Sequence, residues 1–504
     1  MKKEMKRSSG ILMPIFSLPS NWGIGTLGEA AYSFVDFLAE AGQSWWQMLP
    51  VGPTGYGDSP YQSYSSFAGN PYLIDLDLLI RDGLLKEEEV AAYDWGQDPE
   101  HVDYGKMFEN RRKILHKAYL RGIQKYRGEF GRFYREQEGW LGEYALFMAL
   151  KEHYGFKAWT EWPDEGIRLH KKDSLDICRF VLRESMEFYA FLQYLFFTQW
   201  ESLREYARSK GISLIGDIPI YVALDSADVW SDPEWFLLDS DNRPVWVAGV
   251  PPDYFTADGQ LWGNPLYNWP AMEQNGYSWW VRRMKGAARL FDVIRIDHFR
   301  GFEAYWAVPA GATTAKGGQW VEGPGMKVIR VLKEACPEID FIAEDLGYIT
   351  EELQAFLEAS ELPGMKVLEF AFDSREAADY NPDTYPSHSV CYAGTHDNPP
   401  LALWKEEADP ADIQLALDYL GLESKEGLEW AMLQAGMRSA SNLFVAQMQD
   451  YLELGAGSRL NQPGKMGGFW SWRMKAGAAD GKLAEKIAAL TRETGRNPTP
   501  RQER

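Results

Sequence analysis

The sequence has 504 residues, 45% of them hydrophobic and 25% charged, which is an ordinary globular composition. Its 73 acidic side chains outnumber the 52 basic ones, and the net charge of −21 argues against nucleic acid as a partner because phosphate backbones would be repelled. The three cysteines, Cys178, Cys336 and Cys391, have no metal-type spacing and are too few for a disulfide framework, which predicts a reducing, cytoplasmic setting.

The first predicted element is a strand, with the loop that follows it, in the apolar stretch over residues 11–18. Because residues 1–7 are basic, this start imitates a secretory signal peptide. However, Pro14 and Pro19 interrupt the apolar part, and no clear small-residue cleavage site follows. No apolar run approaches the length that a membrane-spanning helix needs, so we expect no association with a membrane.

A helix is predicted next over residues 32–42, where the helical period ends at a glycine, and a short strand over residues 45–50. Residues 52–71 form a long, turn-rich stretch with several tyrosines, which is more typical of a functional loop than of disorder. From residue 78 to about residue 209 the periodicity is mainly helical, with too few strand signals for several βα units. This pattern predicts a helical insertion over about residues 78–190.

The second half of the chain combines predicted strands with a further long loop. A strand is predicted over residues 212–215, and a loop rich in proline and glycine covers residues 248–268. We interpret about residues 224–290 as a loop-rich insertion that covers a cleft. Beyond Asp397 the pattern is largely helical, with a break over residues 461–468.

Three acidic side chains stand out because each comes just after a short apolar run with strand character: Asp297, Glu344 and Asp397. The runs cover residues 291–296, 339–343 and 389–393. Carboxylates at the ends of successive strands are how a (β/α)8 barrel builds its active site. The sequence therefore predicts an α/β protein, a (β/α)8 TIM barrel with large, mainly helical insertions, in which residues 1–504 form one catalytic unit.

The neighbours of the first two acids indicate their chemistry. Arg295 and His298 flank Asp297, and cationic neighbours keep a carboxylate ionised, as a nucleophile requires. Asp345 follows Glu344, and repulsion between adjacent acids, together with burial, would raise the pKa of Glu344 and make it a general acid and then a general base. Such a pair suits the cleavage of glycosidic bonds.

The third acid, Asp397, lies between His396 and Asn398, and all three side chains can hydrogen-bond sugar hydroxyls. The aromatic content of 14% also fits a protein that stacks rings on sugars, although aromatics equally fill large cores. Taken alone, each acidic segment could be a strand-end ion pair, a helix cap or a turn. A zinc site is disfavoured because no histidine pair has i, i+4 spacing.

The chain resembles the 4-α-glucanotransferases of the amylomaltase or disproportionating-enzyme family, glycoside hydrolase family 77 in the α-amylase clan. The resemblance runs nearly end to end and rests on ordered segments. They are GYGDSPYQ at 55–62, GDIPIYVA at 216–223, PPDYF at 251–255, GNPLY at 263–267, RIDHFRG at 295–301, IAEDLG at 342–347 and THDN at 395–398. Any one of them is a weak signal, whereas the whole set in this order is specific.

The resemblance implies that Asp297 is the nucleophile, Glu344 the acid/base and Asp397 the stabiliser of the transition state. The side chains that it assigns to the bound sugar are Arg295, His298, Asp345, His396, Asp217, Tyr61, Ser59 and Asn461. The aromatic side chains that it places on a flexible loop over the cleft are Tyr254, Phe255 and Trp262. A secondary glucan-binding groove would include Tyr56.

The implied reaction is retaining transfer of a segment of an α-1,4-glucan to the 4-OH of an acceptor through a glycosyl ester of Asp297. The expected partners are α-1,4-glucans: maltooligosaccharides, starch and glycogen. No cofactor or metal is expected, because there is no phosphate loop, Schiff-base lysine or metal cluster. A glucan hydrolase or phosphorylase on the same barrel and a non-catalytic glucan-binding scaffold are the alternatives.

Two positions depart from the family pattern. Pro399 and Pro400 follow Asn398 where the family often continues with Asp-Thr, and Phe469 stands where Asn often precedes the Trp of the last motif. Neither departure touches the three acids. We expect them to affect the acceptor side of the site and hence the preferred chain lengths.

Overall fold

The computed structural model describes residues 6–55, 57–252, 257–347, 350–375, 381–465 and 467–497. Within these ranges the strands are β1 (Ser8–Leu12), β2 (Trp45–Gln47), β3 (Ser213–Pro219), β4 (Trp246–Val250), β5 (Gln260–Pro265), β6 (Val293–Asp297), β7 (Ala304–Pro309), β8 (Gln319–Glu322), β9 (Asp340–Ala343), β10 (Gly364–Val367), β11 (Ser389–Tyr392) and β12 (Leu443–Gln447). They form a barrel sheet and a smaller antiparallel sheet.

The α-helices in the same ranges surround and extend the barrel. They are α1 (Glu29–Glu40), α2 (Leu76–Arg81), α3 (Glu87–Ala91), α4 (Tyr104–Lys125), α5 (Arg127–Glu136), α6 (Leu141–His153), α7 (Glu165–Arg168), α8 (Lys172–Val181), α9 (Arg183–Ser209), α10 (Ala227–Ser231), α11 (Trp269–Gln274), α12 (Ser278–Leu290), α13 (Met326–Ala335), α14 (Glu351–Ser360), α15 (Leu368–Ala371), α16 (Leu401–Glu407), α17 (Pro410–Leu420), α18 (Leu428–Arg438), α19 (Met448–Tyr451) and α20 (Gly481–Glu493). None of them is long and apolar enough to cross a membrane.

The large sheet is a parallel barrel of eight strands in the order β10-β11-β12-β1-β2-β3-β6-β9. The two ends of this order meet where the Ala343 amide donates to the Pro363 carbonyl oxygen at 3.0 Å. Around the ring, the strands therefore follow chain order, which is the topology of a (β/α)8 barrel. The predicted fold class is confirmed. Asp297 is the last residue of β6, and Glu344 and Asp397 come after β9 and β11, so the three acids lie at one end of the barrel.

The barrel strands are short and buried on both faces, as parallel strands covered by helices must be. All five residues of β1 and of β12 are buried. The prediction that the chain is largely helical beyond Asp397 was wrong at β12, a barrel strand lying between α18 and α19. The predicted strand over residues 212–215 is also longer than expected, since β3 runs through Asp217 to Pro219.

The connection between β2 and β3 carries helices α2 to α9, which include all the helices of the predicted insertion over residues 78–190. Whether that range forms a separate subdomain stays a prediction. Its longest helix, α9, has 27 residues and packs against α6 and α1. Buried side chains such as Phe191, Phe196 and Trp200 form its inner face, so the helix is held by tertiary packing.

A second sheet, antiparallel and in the order β5-β4-β7-β8, lies beside the barrel. Two of its strands, β4 and β5, belong to the stretch over residues 224–290 that was interpreted as loop-rich, so that interpretation missed regular structure. The other two strands follow β6 and bring the chain back from Asp297. The sheet therefore borders the end of the barrel at which the acids lie.

Candidate active site

Arg295 links two carboxylates at the mouth of the barrel. Its Nη1 contacts Asp217 Oδ1 and Oδ2 at 2.8 and 2.7 Å, and Asp297 Oδ1 at 2.9 Å. Burial opposes the guanidinium charge, but Asp217 and Asp297 outweigh that cost and raise the pKa of Arg295 well above its usual range. The side chain of Asp297 is 27% exposed, so one carboxylate is paired with a fixed cation and still open to the cleft.

Glu344 lies directly after β9 and turns back toward Asp297. Its Oε2 accepts from the His298 amide at 2.7 Å, and its Oε1 accepts from the Leu346 amide at 3.0 Å. Burial and the neighbouring charge of Asp297 raise the pKa of Glu344 to about 8. A carboxyl group that holds its proton near neutral pH, beside a paired carboxylate, is the arrangement that general acid catalysis needs.

The adjacent acid, Asp345, does not act as the sequence analysis proposed. It is buried, and its Oδ1 accepts from the Met365 amide at 2.6 Å, which ties β9 to β10. The like charge that raises the pKa of Glu344 is that of Asp297. Nor does Asp345 cap α14, because the Thr350 hydroxyl accepts from the Leu353 amide at 3.2 Å and fills that role. Its predicted contact with sugar stays a prediction.

His298 follows Asp297 in the left-handed region, with φ of 54°. This turn brings its amide to Glu344, and it places the imidazole edge-on to the Trp262 ring, with the centroids 4.8 Å apart. Burial lowers the pKa of His298 to about 4, so the ring is neutral at physiological pH. Its Nε2 is buried without a hydrogen-bond partner among the described residues, which leaves a polar atom available to a ligand.

Tyr61 and His396 connect the third acid to this group. The Tyr61 hydroxyl donates to Asp217 Oδ2 at 2.9 Å and lies 3.3 Å from His396 Nδ1. The His396 ring stacks on Tyr61 with centroids 4.9 Å apart, and its Nε2 lies 3.3 Å from Asp397 Oδ1. A continuous chain of polar contacts therefore joins Asp397 to Arg295 through His396, Tyr61 and Asp217.

The carboxylate of Asp397 is held from its other side by a loop near the C-terminus. Asn461 Nδ2 donates to Asp397 Oδ1 at 2.6 Å. Arg459 donates to the Asp397 carbonyl oxygen at 3.3 Å and to the Asn461 carbonyl oxygen at 2.7 Å. Asn461 was predicted to line a sugar subsite, which stays a prediction; in the structure it orients an acid. The sequence analysis did not identify Arg459, because an arginine two residues before Asn461 carries no signal of its own.

The remaining predicted residues are placed as follows. Ser59 lies in the loop of Tyr61, where its Oγ accepts from the Tyr61 amide at 3.3 Å. Tyr56, Tyr254 and Phe255 lie outside the described residues, so their predicted roles stay predictions. Trp262 lies on β5, which puts the only described member of the predicted aromatic loop against His298.

The two departures from the family pattern flank this site. Pro400 precedes the first residue of α16 and is the N-cap of that helix, so the proline pair ends the loop of Asp397. Phe469 is partly buried beside Trp470, whose ring lies 5.8 Å from Tyr61 and 6.0 Å from His396. Trp470 adopts a left-handed φ of 63° and supports both rings from behind. Neither departure disturbs the contacts of the three acids.

The arrangement defines a barrel enzyme whose acids suit glycosidic bonds: one paired with arginine, one with a raised pKa, and one held between His396 and Asn461. Among the described residues, no cluster of three or more histidine, cysteine or acidic side chains could hold a metal ion.

Comparison with known proteins agrees with this class. A family model described as 4-alpha-glucanotransferase matches residues 13–479, and the chain belongs to that family. The 4-alpha-glucanotransferase of Clostridium butyricum is 45% identical over 486 residues, which cover 96% of this chain and 100% of that protein. The 4-alpha-glucanotransferase of Thermus thermophilus is 44% identical over 505 residues, which cover 98% of this chain and 100% of that protein.

A solved structure agrees as well. The amylomaltase from Streptococcus agalactiae in complex with acarbose superposes with a TM-score of 0.95 at 41% identity, covering 98% of this chain and 100% of that one. An α-amylase from Geobacillus thermoleovorans, at 9% identity and a TM-score of 0.50, shares the fold alone, covering 99% of this chain and 80% of that one. The protein is thus a 4-α-glucanotransferase on a (β/α)8 barrel.

Proposed function

We propose that the enzyme transfers segments of α-1,4-glucans with retention, using Asp297 as nucleophile, Glu344 as acid/base and Asp397 to stabilise the transition state. The observation that carries these roles is the opposite state of the first two acids. Asp297 is paired with Arg295, whereas Glu344, with a pKa of about 8, holds a proton at neutral pH. One group can therefore attack C1 while the other protonates the leaving oxygen.

In the first half-reaction, Asp297 Oδ attacks C1 as the C1–O4 bond breaks, and the proton of Glu344 passes to O4 of the leaving glucan. The product is a glycosyl ester of Asp297. In the second half-reaction, ionised Glu344 takes the proton from the 4-OH of an acceptor glucan, whose oxygen displaces Asp297. The neutral His298, whose buried Nε2 has no hydrogen-bond partner in the described part of the chain, is suited to hydrogen-bond a hydroxyl of the sugar between the acids.

Asp397 is suited to bind ring hydroxyls because its side chain is 40% exposed while His396 and Asn461 fix its position. We further propose that the segment over residues 253–262 covers the acceptor, so that a sugar hydroxyl competes with water, and that Tyr56 belongs to a secondary glucan groove. Starch, glycogen and maltooligosaccharides are the proposed substrates. The low cysteine count supports a cytoplasmic location.

The test is product analysis on maltotriose, with Asp297→Asn as the control. We expect wild-type enzyme to produce a ladder of longer oligosaccharides with no net gain of reducing ends. The Asp297→Asn protein should lose at least about 1,000-fold in turnover while glucan binding, measured by calorimetry, changes little. Shorter sugars alone, with new reducing ends, would establish a hydrolase. Substantial turnover by the variant would remove Asp297 as the nucleophile.

A further inference from the structure

A fourth carboxyl group lies under the loop of Asp397 and has no part in the mechanism above. Glu369 belongs to α15, which follows barrel strand β10 directly, so it sits at the same end of the barrel as the three acids. Its side chain is buried, and its Oε2 accepts from Asn398 Nδ2 at 3.2 Å. Its Oε1 packs so closely on Gly394 that a Cβ there would lie 2.7 Å from it.

The contact with Asn398 is the first of a series that ends at the backbone of Asp397. Asn398 Oδ1 accepts from the amide and the hydroxyl of Thr395, at 3.0 and 2.8 Å. The Thr395 hydroxyl in turn accepts from the Asp397 amide at 3.3 Å. Each side chain in this series has the next as its partner, so a shift of Asn398 is passed on to Asp397.

We propose that Glu369 is a positioning residue of the transfer reaction: its carboxyl group holds the side chain of Asn398 and thereby sets the orientation of Asp397. Glu369 touches neither the proposed nucleophile nor the acid/base, so it acts only through the loop. The proposal rests on the role of Asp397 proposed above. A misplacement of about 1 Å in a reacting group can lower turnover about 100-fold, so a buried anchor of this kind affects the rate.

The surroundings of Glu369 bear on whether its carboxyl group is protonated. Burial, and then the charge of Asp450 on α19, raise the pKa of Glu369 well above its usual range, although Asn398 and Arg459 favour the ionised form. Asp450 is itself buried and accepts from the Leu401 amide at 2.8 Å, so a second acid anchors the far end of the same loop. A neutral Glu369 still offers Asn398 a carbonyl oxygen, and an amide would do the same.

The experiment compares Glu369→Leu with Glu369→Gln in maltotriose disproportionation. Leucine removes the carboxyl oxygen that accepts from the Asn398 side-chain amide. We therefore expect kcat to fall about 10- to 100-fold while KM changes less than about threefold. Glutamine keeps an acceptor oxygen, and it should restore kcat to within about threefold of wild type with the same pH profile. The double variant Glu369→Leu/Asn398→Leu should be no worse than Asn398→Leu alone, because Glu369 acts only through Asn398.

Two controls separate positioning from stability and from the role of Asp397. Asp75→Ala removes a buried carboxyl group that caps α2 and accepts from Thr26, and it should lower Tm without lowering kcat. Asp397→Asn is measured in parallel. If it keeps full turnover, the proposed role of Asp397 fails; if it loses turnover, the result for Glu369→Leu alone decides the positioning proposal.

A folded Glu369→Leu protein with kcat within about twofold of wild type would overturn the proposal. So would a Glu369→Gln protein as impaired as the leucine variant, because that result would show that the negative charge, which glutamine lacks, matters. Should Glu369→Leu not fold, Asn398→Leu, at a partly exposed position, carries the same expectation: a fall in kcat at nearly constant KM.

Discussion

At the scale of single residues, the site depends on the different surroundings of two neighbouring acids. Asp297 has Arg295 as a direct partner, whereas the amides of His298 and Leu346 only partly offset the burial of Glu344. The cation therefore pairs with Asp297, the proposed nucleophile, and the proton stays on Glu344, the proposed general acid. A polar series from Asp217 through Tyr61 and His396 then fixes the third acid relative to the first two.

The pKa of Glu344 gives a prediction about pH. The proposed mechanism needs Glu344 protonated, and the pKa of Glu344 is about 8, so kcat/KM should be flat near neutrality and fall tenfold per pH unit above about pH 8. Glu344→Gln should abolish turnover across the range. The measurement is the pH profile on maltotriose. A descending limb that begins near pH 5 would show that Glu344 is ionised in the free enzyme and cannot be the general acid.

The same pKa can be checked through stability. An acid whose pKa is raised in the folded state stabilises the fold below its ordinary value of 4.5, and that contribution is lost as pH rises to about 8. Glu344→Gln lacks this dependence. The difference in unfolding free energy between the variant and wild type should therefore shift in favour of the variant by roughly 2–4 kcal/mol between pH 5 and pH 9. An unchanged difference, measured by urea unfolding, would contradict the raised pKa.

At the scale of elements, the acids could be predicted because each is local to its strand. One carboxylate ends β6 and the other two follow β9 and β11 within a few residues, and parallel strands bring their ends together. Other elements had no such signal. The five residues of β12 are buried between two helices, and a short apolar run of that length has no period that separates strand from helix. The antiparallel sheet pairs strands whose register depends on distant partners.

The contacts that orient the acids could not be predicted for a related reason. Tyr61 and Asp217 are 156 residues apart, and Asn461 and Asp397 are 64 residues apart. No spacing or period connects such pairs; they meet because the barrel closes. The resemblance supplied several of these residues by name, but not their partners. The reasoning from neighbouring residues gave Glu344 a repelling neighbour, Asp345, that in fact ties two strands together.

Helix α6 offers a prediction about how the helical region is attached to the barrel. Lys151 is fully buried: its Nζ pairs with Asp225 Oδ2 at 2.5 Å and lies 4.7 Å from the centre of the Tyr64 ring. Lys151→Met would leave Asp225 without its cation, and we expect a loss of about 2–4 kcal/mol in unfolding free energy. Urea denaturation measures it. The matched control, Lys157→Met at an exposed site, should change stability by less than about 0.5 kcal/mol.

The Lys151 variant also tests whether the helices support the site. The loop after β2 carries both Tyr61 and Tyr64, so loosening Tyr64 should lower kcat modestly, by about two- to fivefold, in molecules that remain folded. An unchanged unfolding free energy in Lys151→Met would mean that the buried pair makes no net contribution to stability. Full activity with lowered stability would show that the loop of Tyr61 is held by other contacts.

At the scale of the whole molecule, the ring of strands must close, and it does so where the first and last described segments of the chain meet. First strand β1 pairs with last strand β12. Arg496, beyond α20, is fully buried and donates to the carbonyl oxygens of Ser8, Met437 and Ser441 at 2.7, 2.7 and 2.9 Å. Arg7 reinforces the contact by donating to the Met437 and Ser439 carbonyl oxygens.

This closure lies at the end of the barrel opposite the acids, which predicts that stability and catalysis can be separated. Arg496→Ala removes the shared donor and leaves several buried carbonyl oxygens without it, so we expect a loss of about 3 kcal/mol in unfolding free energy. Turnover per folded molecule should stay at the wild-type level, because the acids follow the other ends of the strands. The measurements are the urea midpoint and kcat on maltotriose, with Lys482→Ala, exposed on α20, as the neutral control. An unchanged midpoint would show that strand pairing alone closes the barrel, and a parallel loss of kcat would show that the two ends are coupled.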